Sequence, residues 1–304
     1  MTVITDWDAR KAEAFGRETV AFQHQLHTRP MFGDEGLAEV LDRYPRDKLG
    51  VFTMGQDPVD WRTWRRGVAG ELSGAELLRA ANEGRIWLNL RAVNDHISAY
   101  AELAGEIFGE LEANVSGLKT LKHDVGLLIS SPRAHVFYHL DVPLVHLWQL
   151  RGRKNMWVYP RTAPFVTDEQ LEKIVLRETA EQFAYESSWD DAADLHVMEP
   201  GLMVSWPQNA PHRIVNDDML NVSLSIEYMT PEALMRANVV YANGLLRRRL
   251  GANPRVQAGF HPTALAKFGA ARAAKALKLH RPPVRVLPPM FAVDAAHRDF
   301  VRPL

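Results

Sequence analysis

The chain of 304 residues contains no cysteine, which excludes disulfides, thiolate metal sites and cysteine nucleophiles. It has no run of about 18 apolar residues, so no membrane-spanning helix is expected. The first residues also lack the basic start and the apolar stretch of a secretory signal. Together these absences lead us to expect a cytoplasmic protein.

A net charge of only −1 hides an uneven distribution of charge. From Arg247 to Leu304, twelve Lys and Arg oppose two Asp, a balance of +10 that leaves −11 for the preceding residues. Such asymmetry occurs in proteins that bind nucleic acid, anionic lipid or an acidic partner, and also where a basic tail packs on an acidic body. Because no nucleic-acid motif accompanies the charge, we expect either a basic tail packed on an acidic body or a solvated helix face, and we do not favour nucleic-acid binding.

The hydrophobic fraction of 46% is enough for a large core in one or two domains. Residues 1–120 are predicted to be a mainly helical region that packs on the core. They include a capping box at Ser73 to Glu76 and a helix from about Asn94 to Leu111.

Residues 121–230 contain short β-rich runs separated by turns, with a polar and helical insertion at about residues 167–194. This pattern of short strands and turns predicts a jelly roll, in which two packed sheets limit the number of exposed edge strands. The predicted fold class is therefore mainly β with flanking helices, an α+β protein with a double-stranded β-helix core.

Residues 231–304 are predicted to be a basic helical region. One helix is expected from Pro231 to about Leu250 and a second from Pro262 to Leu279. In the second, a stripe of apolar residues is expected to pack on the barrel or on a second copy of the protein. Its members are Leu265, Phe268, Ala276 and Leu279.

The most informative motif is His139-Leu-Asp141, followed much later by His212 in Pro207-Gln-Asn-Ala-Pro-His212. Two imidazoles and one carboxylate are the set that binds non-haem Fe(II) on one face and leaves coordination positions open. Residues two apart on a strand point the same way, so His139 and Asp141 can reach one metal, while His212 must come from another strand.

The segments around these residues resemble the central signature of the Jumonji-C-type, cupin-like 2-oxoglutarate oxygenases. The resemblance covers about residues 125–228, a third of the chain. The matching segments are His139-Leu-Asp141, Gln149-Leu-Arg-Gly152-Arg-Lys154, Glu199-Pro-Gly201-Leu-Met-Val-Ser-Trp-Pro207 and His212-Arg-Ile-Val-Asn216.

The resemblance implies that His139, Asp141 and His212 hold Fe(II), with 2-oxoglutarate and O2 as cosubstrates. Lys154 takes the place from which the family's lysine reaches the distal carboxylate of 2-oxoglutarate, a task that suits a compact cation with three donors. His135 and Tyr138 are further candidates for the cosubstrate pocket. Strand alternation favours His135 as a pocket wall, whereas it favours core packing for Tyr138.

Two positions depart from the family pattern. Val136 stands where many relatives carry a hydroxyl residue that bonds the cosubstrate, and Val145 stands where a polar side chain often lines the pocket. Both departures remove hydrogen bonds that 2-oxoglutarate would use.

The resemblance implies an Fe(II)- and 2-oxoglutarate-dependent dioxygenase that oxidises a protein side chain or a small molecule. It favours hydroxylation over demethylation, and it also implies a homodimer through the C-terminal helices. The main alternative is a metal-binding cupin without turnover, acting as a ligand sensor or transcriptional regulator. A cupin isomerase, or a dioxygenase that needs no 2-oxoglutarate, is a third interpretation, against which Lys154 argues.

Overall fold

The computed structural model describes residues 2–256, 259–282, 287–297 and 299–304. The α-helices in these ranges are α1 Ala9–Ala14, α2 Asp34–Arg43, α3 Gly74–Glu83, α4 Ser98–Asn114, α5 Asp168–Val175, α6 Pro231–Leu250 and α7 Pro262–Ala276. The strands are β1 Val20–Gln23, β2 Gly50–Thr53, β3 Arg65–Val68, β4 Trp87–Leu90, β5 Leu121–Ser130, β6 His135–His139, β7 Leu144–Arg151, β8 Lys154–Val158, β9 Asp194–Met198, β10 Leu202–Ser205, β11 His212–Asn216, β12 Asn221–Met229, β13 Phe291–Val293 and β14 Val301–Pro303. No helix in the described part of the chain is long and apolar enough to cross a membrane.

The strands form a large sheet and a small sheet. The large sheet has the order β1-β10-β7-β12-β5-β4-β2-β3-β13-β14, and the small sheet has the order β6-β11-β8-β9. Strands β10, β7, β12 and β5 lie opposite the small sheet, and the apolar cluster between them joins Val145 and Leu147 to Met156, Val158 and Ile214. The predicted jelly-roll core is confirmed.

The two faces of strand β12 contact different parts of the molecule. Val222, Leu224 and Ile226 point into the cluster that the flanking helices cover. Side chains alternate along a strand, so Ser223 and Ser225 point to the other face, toward the small sheet. Strand β12 is thus buried on both faces, and its polar positions face the interior of the barrel.

The first 120 residues are richer in helix than in strand, as expected, but they also supply β1 to β4. These strands extend the large sheet: β4 pairs with β5, and β1 pairs with β10. Each is only four residues long, too short for its alternation to be separated from a loop in the sequence.

The apolar stripe predicted on α7 is not buried as a whole within one chain: Phe268 packs against α6, whereas Leu265 and Leu279 are exposed. The helix buries Ala264, Ala271 and Ala274, because small side chains allow it to lie close against α6. Leu265 is 54% exposed and Leu279 is 46% exposed.

Two arginines at the start of the basic C-terminal segment pair with acidic groups. Arg247 pairs with the buried Glu172, and Arg248 pairs with Glu178. These contacts tie α6 to the insertion between β8 and β9.

The turn between β7 and β8 sets the start of the strand that carries Lys154. Gly152 has a φ of +75°, and a Cβ there would lie 2.2 Å from the carbonyl oxygen of Leu220. Only glycine adopts this backbone conformation without strain and also leaves room for that carbonyl.

Replacement of Gly152 by alanine is therefore expected to reduce the free energy of unfolding by about 2–4 kcal/mol, from left-handed strain and the steric clash. The matched control is Gly105→Ala in the middle of α4, where a Cβ meets no atom within 4 Å. This change is expected to raise stability by about 0.5–1 kcal/mol. Urea denaturation of both variants measures the difference; equal stabilities would contradict the role assigned to the turn.

Candidate metal centre

Two histidines face each other at one end of the small sheet. His139 ends β6 and His212 begins β11, and the two residues are direct partners in the antiparallel pair. Their ring centroids are 4.1 Å apart. The register of one strand pair therefore brings together side chains that lie far apart in the sequence.

Backbone carbonyls orient both imidazoles in the same way. Nδ1 of His139 donates to the carbonyl of Phe137 at 2.7 Å, and Nδ1 of His212 donates to the carbonyl of Ala210 at 3.2 Å. Since a carbonyl oxygen only accepts, each ring carries its proton on Nδ1 and presents the lone pair of Nε2. A hydrogen bond from the ring nitrogen that faces away from the metal is typical of metal-ligating histidines.

Asp141 completes the cluster from just beyond the end of β6. Its Oδ2 lies 3.4 Å from Nε2 of His212. One ligand atom from each of His139, Asp141 and His212 lies within 4.8 Å of the other two. The predicted ligands are thus brought together, although Asp141 belongs to a loop and not to the strand that carries His139.

Asn209 holds this loop, a role that the sequence pattern does not reveal. Its Nδ2 donates to the carbonyl of Asp141 at 2.8 Å. Asn209 has a positive φ of 65°, a conformation that asparagine adopts more readily than most residues. The only feature of the sequence that marks this role is the position of an asparagine three residues before His212.

The electrostatics of the cluster suit a cation. Burial, and next the neighbouring His139, lower the pKa of His212 to about 4, so its imidazole is a neutral base at neutral pH. Burial and the nearby Asp141 raise the pKa of Glu227, on the same cavity wall, to about 8. A bound divalent cation would offset the crowding of these carboxylates. The donor set therefore fits Fe(II).

A cavity of about 130 Å³ lies between the two sheets beside the cluster. Val136, Val145, Leu147 and Ile214 are among the residues that line it. Both positions that depart from the family pattern thus face the cavity, and they make that part of the wall apolar.

Lys154 lies outside the residues that line this cavity, in the interior between the sheets. It is 4% exposed, and its Nζ donates to Oγ of Ser223 at 2.7 Å. Ser223 in turn donates to Oε1 of Gln149 at 2.7 Å. Burial lowers the pKa of Lys154 to about 7, and no described carboxylate forms an ion pair with it.

His135 and Tyr138 also lie outside the cavity lining. His135 is 4% exposed and packs edge-on against Phe137, beside Arg85. Tyr138 donates from its hydroxyl to the carbonyl of Phe165 at 2.9 Å. Tyr138 has the core packing that strand alternation favours, and His135, a candidate for the pocket wall, is buried beside Arg85.

A wider groove of about 890 Å³ adjoins the cavity. Trp64, Glu181 and Gln182 line both, so the groove leads toward the metal cluster. Its outer part includes Trp61, which is 36% exposed, and Arg62 beside it.

Removal of either histidine is expected to abolish specific metal binding. In His139→Ala or His212→Ala, two ligands remain and affinity for Co(II), a stand-in for Fe(II), should fall by at least about 100-fold, because a facial site needs all three donors. Isothermal titration measures this. The matched control is His135→Gln on the same strand, which should retain one site per chain; loss of binding in that control alone would contradict the assignment.

No protein-family model and no curated protein sequence matches this chain. A crystal structure of YcfD from E. coli matches with a TM-score of 0.50 and 18% identity over 93% of this chain and 69% of YcfD. A second structure is described as that of YcfD, a ribosomal oxygenase from Escherichia coli, in complex with cobalt and 2-oxoglutarate. It matches with a TM-score of 0.48 and 17% identity over 92% of this chain and 68% of YcfD. The fold expected from the Jumonji-C resemblance is thereby confirmed, and the chain shares the overall fold of YcfD.

Proposed function

We propose that this chain is an Fe(II)- and 2-oxoglutarate-dependent oxygenase. The observation that carries the proposal is the cluster of His139, Asp141 and His212 at a cavity between the two sheets of a jelly roll. YcfD, whose fold this chain shares, is described as a ribosomal oxygenase, which agrees with the proposal.

In this proposal, His139, Asp141 and His212 hold Fe(II) through two Nε2 atoms and one carboxylate. When bound, the metal and 2-oxoglutarate supply O2 activation, in which one oxygen atom enters the C–H bond of the substrate and the other enters succinate, with release of CO2. The protein orients the ligands through the carbonyls of Phe137 and Ala210 and fixes the loop of Asp141 through Asn209. The apolar wall around Val136 and Val145 keeps water away from the reacting atoms.

Lys154 is proposed to anchor the distal carboxylate of 2-oxoglutarate. A buried lysine with no carboxylate partner is destabilising, and a carboxylate ligand that reached it would offset that penalty. Lys154 shares its strand face with Met156 and Val158, which point into the barrel interior. Its hydrogen bond to Ser223 holds the ammonium on that side of the strand.

The proposed substrate is a side chain of a protein, and the proposed reaction is hydroxylation and not demethylation. The groove of about 890 Å³ is much larger than the cavity that it leads to, so it has room for the chain on either side of one inserted residue. Exposed Trp61 and Arg62 at the groove provide contacts for such a segment. A small molecule, which would use the inner cavity alone, is the other substrate class that the sequence allows.

A metal-binding cupin without turnover is the second candidate function. It is favoured by the apolar residues at Val136 and Val145 and by the placement of Lys154 outside the cavity lining. The two candidates differ in whether the metal-loaded protein binds and consumes 2-oxoglutarate.

The Fe(II)-loaded protein is expected to bind 2-oxoglutarate and to release succinate slowly under air, even without substrate. Succinate formation should be lost in His139→Ala. In Lys154→Ala, the Kd for 2-oxoglutarate should rise about 10- to 100-fold, because one charge-assisted hydrogen bond is removed. The matched control Ser223→Ala removes the hydroxyl and keeps the ammonium, so the Kd should change far less. A metal-loaded protein that binds no 2-oxoglutarate would contradict the oxygenase proposal and favour the metal-binding sensor.

We also propose that the protein forms a homodimer through α6 and α7. These helices border an apolar groove of about 450 Å³ that includes Leu245, Leu246 and Leu250. Leu250 is 72% exposed and Leu277, just beyond α7, is 69% exposed. Exposed apolar side chains concentrated beside one groove are typical of an interface between proteins.

Sedimentation analysis tests this dimer. The wild-type chain is expected to sediment as a dimer, and Leu250→Glu as a monomer, since a charge at the interface would be buried without a partner. Leu195→Glu is the matched control, because Leu195 is 53% exposed on β9 and should leave the dimer intact. A wild-type monomer at high micromolar concentration would refute the interface.

A further inference from the structure

A second groove, of about 360 Å³, is lined by cationic side chains from separate parts of the chain. Arg17 follows α1, Lys119 precedes β5, Arg161 follows β8 and Arg236 lies on α6. This groove shares no lining residue with the metal cavity. It is therefore a separate feature of the surface.

Arg161 and Arg236 have only neutral hydrogen-bond partners. Nη1 of Arg161 donates to the carbonyl of Gln208 at 3.4 Å, and Nε of Arg236 donates to Oδ1 of Asn209 at 3.0 Å. Within the described ranges, neither forms an ion pair, in contrast to Arg213 and Arg247, which bind Asp190 and Glu172. Two of the three nitrogens of each guanidinium group are thus left for a ligand.

The charges around the groove are unbalanced. Four cations and one carboxylate, that of Glu232, line the groove. Arg236 is half-buried, and burial together with the nearby Arg161 lowers its pKa to about 10. Asp168 lies outside the lining, and its charge opposes this lowering of the pKa of Arg236. Like charges held together with incomplete solvation are destabilising unless an anion joins them.

We propose that this groove binds the phosphate group of a small phosphorylated molecule. A phosphate monoester is nearly a dianion at neutral pH, and its three oxygens accept from more than one guanidinium group, as arginine clusters require. The groove is larger than one phosphate group needs, which leaves room for the organic part of the ligand.

The arginines also contact the segment that positions a proposed metal ligand. Asn209, which accepts from Arg236, donates through Nδ2 to the carbonyl of Asp141. Gln208, whose carbonyl accepts from Arg161, donates through Nε2 to the carbonyl of Val142 at 2.8 Å. Occupation of the groove is therefore expected to change the affinity of the metal site, and metal binding must change phosphate affinity by the same factor.

Titration of the metal-free, full-length protein with β-glycerophosphate at low salt tests the site itself, independently of the proposed oxygenase activity. One saturable site per chain is expected. Arg161→Gln should weaken binding by at least about tenfold, because one charge-assisted contact is lost; Arg17→Gln should weaken it in the same direction. Acetate, a monoanion, should bind more weakly than the phosphate ester.

The matched control is Arg62→Gln, an arginine whose side chain is 79% exposed and lies at the other groove. It should bind β-glycerophosphate as the wild type does. Arg161 makes one long hydrogen bond, so its replacement is not expected to unfold the protein. No saturable binding, or equal losses in Arg161→Gln and Arg62→Gln, would overturn the proposal.

A second measurement tests the link to the metal site. Co(II) affinity of the wild type should differ with and without β-glycerophosphate, whereas Asn209→Gly should bind the phosphate ester and show a smaller difference, because only the contact of Arg161 with Gln208 remains. Glycine tolerates the positive φ at this position and lacks the amide that joins Arg236 to Asp141. An unchanged difference in Asn209→Gly would overturn the proposed route.

Discussion

The pairing of β6 with β11 is the constraint on which the rest of this structure depends. It places His139 opposite His212, and a shift by one residue would turn one of the two imidazoles to the other face of the small sheet. The register is supported on the far side, where β11 pairs with β8 along its whole length. Strand β11, through its two pairings, therefore links the position of Lys154 on β8 to the geometry of the proposed metal ligands.

The central strands of the large sheet, β7 and β12, enclose this arrangement because they are buried on both faces. One face packs against α-helices through residues such as Trp148 and Leu224, and the other encloses the cavity. Polar groups inside the barrel are joined to one another, as in the chain from Lys154 through Ser223 to Gln149. An interior that is both closed and polar in a few places suits chemistry that must exclude water.

The sequence predicted the parts whose signals are local. The His139-Leu-Asp141 motif, the strand texture and the Ser73 cap are all readable from residues a few positions apart, and the structure contains each of them. The prediction that His212 lies beside His139 needed a known family pattern, because the pairing of strands some seventy residues apart is not visible in neighbouring residues. The resemblance placed Lys154 in the right strand and the barrel interior, yet its hydrogen bond to Ser223 depends on the opposite sheet. The roles of Asn209 and Arg236 could not be predicted, because each rests on a side-chain contact between segments that are distant in the sequence.

Anomalous diffraction at the iron edge, from crystals grown anaerobically with Fe(II), tests the central claim most directly. One peak is expected, at about 2.0–2.2 Å from Nε2 of His139, from Nε2 of His212 and from a carboxylate oxygen of Asp141. This is the usual range of distances between a metal and such ligand atoms. A peak at other residues, or none in crystals that contain Fe(II), would contradict it.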